Sequence, residues 1–80
     1  MDIIKVSTIK PGLRVIIRNT GDFFRVMVQE HKSICSPYTD SREFSDNGWR
    51  TSQYTGRSTV NEAEEEFDRM VEQQIRFNPT

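Results

Sequence analysis

One apolar stripe near the C-terminal end constrains the fold more than any other feature of the chain. From residue 60 onward the apolar residues recur mostly three or four positions apart: Val60, Ala63, Phe67, Met70, Val71 and Ile75. This spacing lines one side of an α-helix. Thr59 and Glu62 stand at the separation of a capping box, and Asn78-Pro79 ends the pattern. We therefore predict a helix over about residues 60–76 that packs through its apolar side.

The rest of this predicted helix is strongly acidic, with a run from Glu64 to Asp68. Glu65–Arg69 and Glu72–Arg76 stand four residues apart in the order that favours ion pairs. A metal site needs converging carboxylates, whereas consecutive helical residues diverge by about 100°. The acidic run therefore indicates a solvated face, with docking to a basic partner as the alternative.

Short β-prone segments precede the helix. Residues 14–18 and 23–30 are rich in β-branched and aromatic residues, and Asn19-Thr20-Gly21-Asp22 between them predicts a hairpin turn. Pro11-Gly12 breaks the chain before the hairpin, which predicts a short edge strand over residues 3–6. A last strand is predicted over residues 49–55.

These elements predict an α+β fold: a small antiparallel sheet of three or four strands with one C-terminal amphipathic helix packed on one face. Eighty residues favour a single domain, 1–80, with one thin core. Alternation turns one set of side chains towards the helix, namely Val15, Ile17, Phe24, Val26 and Val28. It turns the other set away: Arg14, Ile16, Arg18, Phe23, Arg25, Met27 and Gln29. In the last strand it separates Trp49, Thr51 and Gln53 from Arg50, Ser52 and Tyr54.

Composition excludes several classes of protein. The chain has one cysteine, so it contains no internal disulfide, and a reducing, cytoplasmic setting is expected. No apolar run approaches the ~20 residues that span a bilayer, and we expect no membrane association.

His31 and Cys35 form the one pair that suggests metal or nucleophile chemistry. A zinc site needs three or four ligands, and the chain has no second histidine or cysteine. A nucleophile needs an orienting group that the sequence does not mark. We therefore expect no catalytic residue, metal or cofactor, and a chain that is not an enzyme.

The charge is unevenly distributed. Up to Ser58 the chain has nine basic and six acidic residues, and after it two basic and six acidic residues. Arg14, Arg18 and Arg25 with Phe23 have the composition of a nucleic-acid platform, in which arginines hold phosphates and bases stack on rings. The same residue types are enriched at protein interfaces, and a pI of about 5.8 disfavours nucleic acid.

The segment 31–48 is a long predicted loop rich in turn formers, and long loops in small domains are frequently functional. Aromatic and arginine residues carry much of the energy of protein interfaces. The expected partner-binding residues are those of this loop and the start of the next strand: Tyr38, Arg42, Phe44, Trp49 and Arg50. We thus expect a small protein-binding module, with nucleic-acid binding by the sheet as the alternative and a homodimer compatible with the lean core.

The order of elements from Phe23 to Gln74, ending in a capped helix that begins Thr-x-x-Glu-Ala at Thr59, resembles the three-strand-plus-helix domain with which some phage integrases bind DNA arm sites. In size and charge the chain also resembles the short acidic α+β proteins that phages make against host enzymes or defence systems. That second resemblance implies an inhibitor or adaptor acting on a host protein. The phrase KPGLRVIIRNTGDFFRV, residues 10–26, is similar to the first hairpin of small SH3-like barrels.

Overall fold

The computed structural model describes residues 2–35, 44 and 47–78. The elements are β1 (Asp2–Lys10), β2 (Leu13–Asn19), β3 (Phe24–His31), a short 3-10 helix (Lys32–Ile34), β4 (Trp49–Arg57) and α1 (Val60–Phe77). The strands form one antiparallel sheet in the order β1-β2-β3-β4. Helix α1 packs against all four strands. The predicted α+β fold is confirmed, with four strands and one C-terminal helix.

The elements differ from their predicted bounds mainly at β1. This strand spans nine residues, where the sequence predicted only 3–6. The predicted strand 23–30 begins and ends one residue later, and the predicted helix extends to Phe77. Within the predicted loop 31–48, the 3-10 helix follows β3 directly. Asn47 and Gly48, at the predicted tight turn before β4, both have positive φ.

The turn between β1 and β2 requires glycine. Gly12 has a φ of +88°, and a Cβ built on it would lie 2.6 Å from Cγ2 of Ile34. Its carbonyl accepts a hydrogen bond of 2.8 Å from the His31 amide. The 3-10 helix after β3 is thereby packed on the β1–β2 turn.

The turn between β2 and β3 is held by its own polar side chains. The Asn19 side-chain oxygen accepts from the Gly21 amide at 2.9 Å. The Thr20 hydroxyl donates to the Phe23 carbonyl at 2.8 Å, and the Thr20 amide donates to the same oxygen. Asn and Thr favour such local bonds, which explains why this four-residue link closes a regular hairpin.

The core lies between the sheet and α1. Its buried apolar residues are Leu13, Val15, Ile17, Val26, Val28, Ala63, Phe67 and Met70, with Ile9, Phe24 and Val71 partly buried against them. All five strand residues predicted to face the helix do so. Burying aliphatic and aromatic surface of this kind is the main stabilising contribution to a small domain.

The predicted apolar side of the helix was wrong at its two ends. Val60 and Ile75 are exposed, whereas Gln74 is buried. The buried positions are therefore 63, 67, 70 and 74, which run straight along the helix, while Ile75 lies one position off this line. Both the backbone amide and the side-chain amide of Asn78 donate to the Gln74 carbonyl and cap the helix there.

Polar contacts fix the start of the helix and join it to β4. The Thr59 hydroxyl accepts from the Glu62 amide at 3.2 Å, as the capping box predicts. Glu66 forms ion pairs with Arg69 and with Arg57 of β4, the latter at 3.2 Å. The hydrogen bond from Arg69, with the positive charge of both arginines, holds the pKa of Glu66 below its ordinary value.

The two predicted i,i+4 ion pairs have different outcomes. Arg76 pairs with Glu72 as predicted. Arg69 instead pairs with Glu66, three residues away, which the ion pair with Arg57 already holds in place. Among the described residues, no helix combines the length and the apolar character that a membrane crossing requires.

Candidate functional site

The side of the sheet that faces away from α1 is here called the outer face. The register of the four strands gives its members: Ile3, Val6, Thr8, Arg14, Ile16, Arg18, Arg25, Met27, Gln29, His31, Trp49, Thr51, Tyr54 and Gly56. The ring of Phe23, just before β3, lies against Gly56 on the same side. Three arginines and three large aromatic rings thus share one side of the sheet.

The centre of the outer face is packed rather than open to solvent. Ile16 and Gln29 are fully buried, and Met27 is nearly so. The register places Met27 opposite Ile16 on one side and opposite Tyr54 on the other. Met27 faces away from the helix, as predicted, but it is buried there. Long arginine and aromatic side chains extend over shorter neighbours, so the outer face is a second packed layer.

A β-bulge in β4 determines which aromatic residues reach this layer. Gln53 pairs with Val28 and Thr51 pairs with Gln29, so Ser52 is an extra residue in β4. The Ser52 hydroxyl lies 3.3 Å from the Val28 carbonyl and donates to it. Because one extra residue reverses the alternation, Trp49 and Tyr54 lie on the same side. The strict alternation predicted for residues 49–55, which separates these two rings, was wrong.

A buried amide connects β2, β3 and β4 on the outer face. The Arg14 Nε donates to Oε1 of Gln29 at 2.9 Å, and Nε2 of Gln29 lies 3.5 Å from the Thr51 hydroxyl. The guanidinium of Arg14 lies over the Trp49 ring, 4.0 Å from its centre. The His31 ring meets Trp49 edge-on at 5.0 Å. Arg14 and Trp49 are thereby fixed in position by neighbours on three strands.

A second cluster surrounds Arg25. Its guanidinium carbon lies 5.0 Å from the centre of the Tyr54 ring and 5.5 Å from that of Phe23. A Cβ at Gly56, opposite Arg25 in the register, would lie 3.2 Å from the Phe23 ring. The absence of a side chain at Gly56 therefore lets the Phe23 ring lie close to the sheet. Tyr54 is 65% exposed, so this cluster reaches the protein surface.

The electrostatic character of the outer face is basic. Arg18 and Arg25 stand directly opposite each other in the register. Among the described strand residues of this face there is no carboxylate. The Nε of Arg25 is buried, and no described group accepts a hydrogen bond from it. The described part of the outer face is therefore positively charged around Arg18 and Arg25.

The structure brings the residues of the predicted nucleic-acid platform together on one face. It places two of the predicted partner-binding residues, Trp49 and Arg50, on opposite sides of the sheet. Arg14, Arg18, Phe23 and Arg25, predicted as a nucleic-acid platform, all lie on the outer face. Of the predicted partner-binding residues, Trp49 joins this set through its contact with Arg14.

Arg50 and Phe44 are the other predicted partner-binding residues that the structure describes. Arg50 is on the opposite side of the sheet, where it pairs with Glu30 at 3.2 Å. Phe44 is partly buried. Tyr38 and Arg42 lie outside the described residues. Trp49 and Arg50 are thus adjacent in sequence but belong to different surfaces.

The side chains of His31 and Cys35 each hydrogen-bond to a neighbouring group. The Nδ1 of His31 accepts from the Ser33 amide at 3.2 Å and lies 2.9 Å from its hydroxyl. The Cys35 thiol lies 3.4 Å from the backbone carbonyl of His31 and donates to it. No group of three or more potential metal ligands converges within the part of the chain that the structure describes.

Sequence reasoning missed Tyr54, His31 and Gln29 as members of the site. The predicted alternation separated Tyr54 from Trp49 because the sequence does not mark the bulge at Ser52. Gln29 was correctly turned away from the helix, but its burial, which depends on partners from two other strands, was not predicted. The one signal in the sequence for Tyr54 was that it is an aromatic residue among the polar residues and glycine of the segment 53–56.

Comparison of the chain with protein-family models, with curated proteins and with solved structures gave no match.

Proposed function

We propose that this chain is a non-enzymatic binding module that uses the outer face to bind an acidic surface of a partner protein. The observation that carries the proposal is the position of Arg25 between Phe23 and Tyr54. Such a module would act as an inhibitor of its partner or as an adaptor.

The two aromatic rings beside Arg25 limit the conformations of its side chain before a ligand binds. The guanidinium group is planar and carries five N–H donors along its edges. Contacts between its surface and the rings of Phe23 and Tyr54 restrict its rotation, so less side-chain entropy is lost when a ligand binds. The edge of the group remains suited to a carboxylate, which accepts two parallel hydrogen bonds. This favours an aspartate or glutamate of the partner as the group that meets Arg25.

The surroundings of Arg25 have the composition of an interface centre. Tyr54 and Trp49 supply aromatic area, and tyrosine, tryptophan and arginine are the residue types most enriched among those that dominate binding energy. The outer face also has a rigid support, because its central residues Ile16 and Gln29 are fully buried. Binding would therefore order few additional side chains.

Two observations favour a protein over a nucleic acid on this face. One surface of the Trp49 ring is covered by the Arg14 guanidinium, at 4.0 Å, so that surface does not accept a stacked base. The chain as a whole has a net charge of −1, and the exposed side of α1 is acidic. Binding of a phosphate backbone requires an excess of positive charge on the protein. Binding of a single acidic patch on a partner protein requires positive charge only on the face that meets it.

The test begins with affinity capture from a cell lysate at low and high salt, followed by binding measurements with the purified partner. Arg25→Ala and Tyr54→Ala should each weaken binding by about 30-fold or more, the loss that defines a dominant interface residue. Arg76→Ala and Phe77→Ala are the matched controls, because both side chains are exposed at the end of α1. The controls should bind as the wild type does.

A mixed-sequence single-stranded oligonucleotide serves as the probe for nucleic acid. If the oligonucleotide binds tightly, and this binding falls steeply with salt and is lost in Arg25→Ala, the ligand of the outer face is nucleic acid and the proposed protein partner is wrong. A captured protein that binds Arg25→Ala and Tyr54→Ala as well as it binds the wild type would overturn the assignment of the outer face.

A further inference from the structure

The only histidine of the chain contacts its only tryptophan. The centres of the His31 and Trp49 rings lie 5.0 Å apart, and the two rings meet edge-on. The backbone amide of His31 donates to the Gly12 carbonyl at 2.8 Å, and His31 pairs with Trp49 in the sheet. His31 therefore lies where the β1–β2 turn, the end of β3 and the start of β4 meet.

The hydrogen bonds of the imidazole define its protonation. The Ser33 amide lies 3.2 Å from Nδ1 of His31. Because a backbone amide can only donate, Nδ1 is the unprotonated nitrogen, and the hydrogen of the neutral ring is on Nε2. The same bond caps the 3-10 helix, since the first amides of a helix have no partner within it. The cap thus depends on a neutral imidazole.

Protonation of the imidazole removes this cap. In the charged ring both nitrogens donate, so Nδ1 no longer accepts from the Ser33 amide. The Ser33 hydroxyl lies 2.9 Å from Nδ1 and is the group that then accepts the new hydrogen. The ring stays beside Ser33, but the amide at the start of the 3-10 helix loses its acceptor.

Positive groups lie on two sides of the imidazole. The Arg14 guanidinium lies 4.0 Å from the centre of the same Trp49 ring. A Cβ built on Gly48 would lie 3.1 Å from Nε2 of His31 and 3.4 Å from Cε of Lys32, so the lysine side chain runs beside the ring. Because like charges repel, an imidazolium at this position alters the contact with Trp49.

The remaining charged and titratable groups near His31 lie across the sheet or bond to the backbone. Glu30 pairs with Arg50 on the side of the sheet that faces α1, and the register places Lys10 on that side too. The Cys35 thiol donates to the His31 carbonyl. The described strand residues of the outer face include no carboxylate that would pair with an imidazolium.

We propose that His31 is a pH-sensitive switch that acts on the Ser33 amide and on Trp49. Histidine ordinarily changes its charge between about pH 5 and 8. In mild acid the cap on the Ser33 amide is lost and the Trp49 contact is rearranged. The same protonation adds a positive charge to the outer face, so an acidic partner surface would bind there more tightly in mild acid. The switch itself does not depend on the proposed function, and its tests need no partner.

NMR of the isotope-labelled full chain tests the chemistry of the switch. At about pH 8 the imidazole nitrogen signals should show hydrogen on Nε2 and none on Nδ1. As the pH falls to about 5, the signals of the Ser33 amide and the Trp49 indole should shift together with those of the imidazole. A ring with its hydrogen on Nδ1 in the neutral form, or a Ser33 amide that does not follow the titration, would overturn the proposal.

Fluorescence with matched variants tests the effect on Trp49. Because Trp49 is the only tryptophan, the emission reports on this position. The wild-type emission should fall in one step between about pH 8 and 5, because an imidazolium quenches a neighbouring indole more strongly than a neutral imidazole does. His31→Asn keeps a capping oxygen for the Ser33 amide but gains no charge, so it should show no step. Ser33→Ala retains the imidazole and should show the step.

Circular dichroism over the same pH range should show that the wild type and both variants stay folded. A step of equal size in His31→Asn, or no step in the wild type, would show that His31 does not control the contact with Trp49.

Discussion

The two sides of the sheet are made by alternate residues of the same strands, yet they form different layers. The side under α1 contains aliphatic residues and Phe67, and the helix closes it. The outer face has a buried centre of Ile16, Met27 and Gln29, with arginines and aromatic rings around it. The main apolar core lies on one side and the recognition groups on the other, so substitutions on the two sides should differ in their effects on stability and binding.

The largest effect is expected from breaking the helix-covered layer. Phe67→Ala removes a buried ring from the centre of the core and should lower the free energy of unfolding by about 3–5 kcal/mol. Phe77→Ala is the matched control, because that ring is 70% exposed. Urea denaturation measures both. A loss for Phe67→Ala no greater than that for Phe77→Ala would show that the helix does not seal the sheet as described.

An intermediate effect is expected from the centre of the outer face. Gln29→Met keeps the length of the side chain but removes the acceptor of the Arg14 bond and the amide next to Thr51. Leaving a buried donor without its partner costs about 1–3 kcal/mol. Gln53→Met, at an exposed position of β4, should change stability by less than about 0.5 kcal/mol. If the two variants unfold at the same urea concentration, the outer face has no packed centre.

The smallest effect is expected at the junction of α1 with β4. The pKa of Glu66 is lowered by its hydrogen bond with Arg69 and by the charges of both arginines. Its stabilising contribution is therefore complete above the ordinary carboxyl pKa and is lost as the pH falls through the lowered value. Glu66→Gln should reduce stability at neutral pH by less than about 1 kcal/mol, as is usual for ion pairs near the surface.

The pH dependence distinguishes this junction from a general surface effect. The difference in unfolding free energy between wild type and Glu66→Gln should shrink as the solution becomes acidic. Glu65→Gln, at an exposed neighbouring position, should show little difference at any pH. A difference for Glu66→Gln that is as large in acid as at neutral pH would contradict the role of its ion pairs.

Much of the fold was predictable because the periodic signals are strong. The helical spacing of Ala63, Phe67 and Met70 predicts a helix with one apolar side. The alternation at Val15 and Ile17 predicts a strand with one apolar side, so the two elements pack through these sides. The capping residue Thr59 also marked the start of the helix. These signals depend on residues close together in sequence.

The outer face was only partly predictable because its arrangement depends on contacts between strands. The bulge at Ser52 is set by pairing with Val28 and moves Tyr54 to the side of Arg25. The burial of Gln29 depends on Arg14 and Thr51, which lie 15 and 22 residues away in sequence. Periodicity indicated which side Arg14 and Arg25 occupy, but it contains no information on which rings they meet.

The order of the strands also bears on how the chain reaches its native state. Each strand pairs with the next one in sequence, so β1, β2 and β3 are joined by two short turns. Contacts between residues close in sequence form early, and folding slows as contacts become more distant. The β3–β4 pairing, closed by the bond between the Lys32 amide and the Gly48 carbonyl, joins residues across the longest link. We expect the three-strand meander to assemble first, and the arrival of β4 and α1 to set the folding rate.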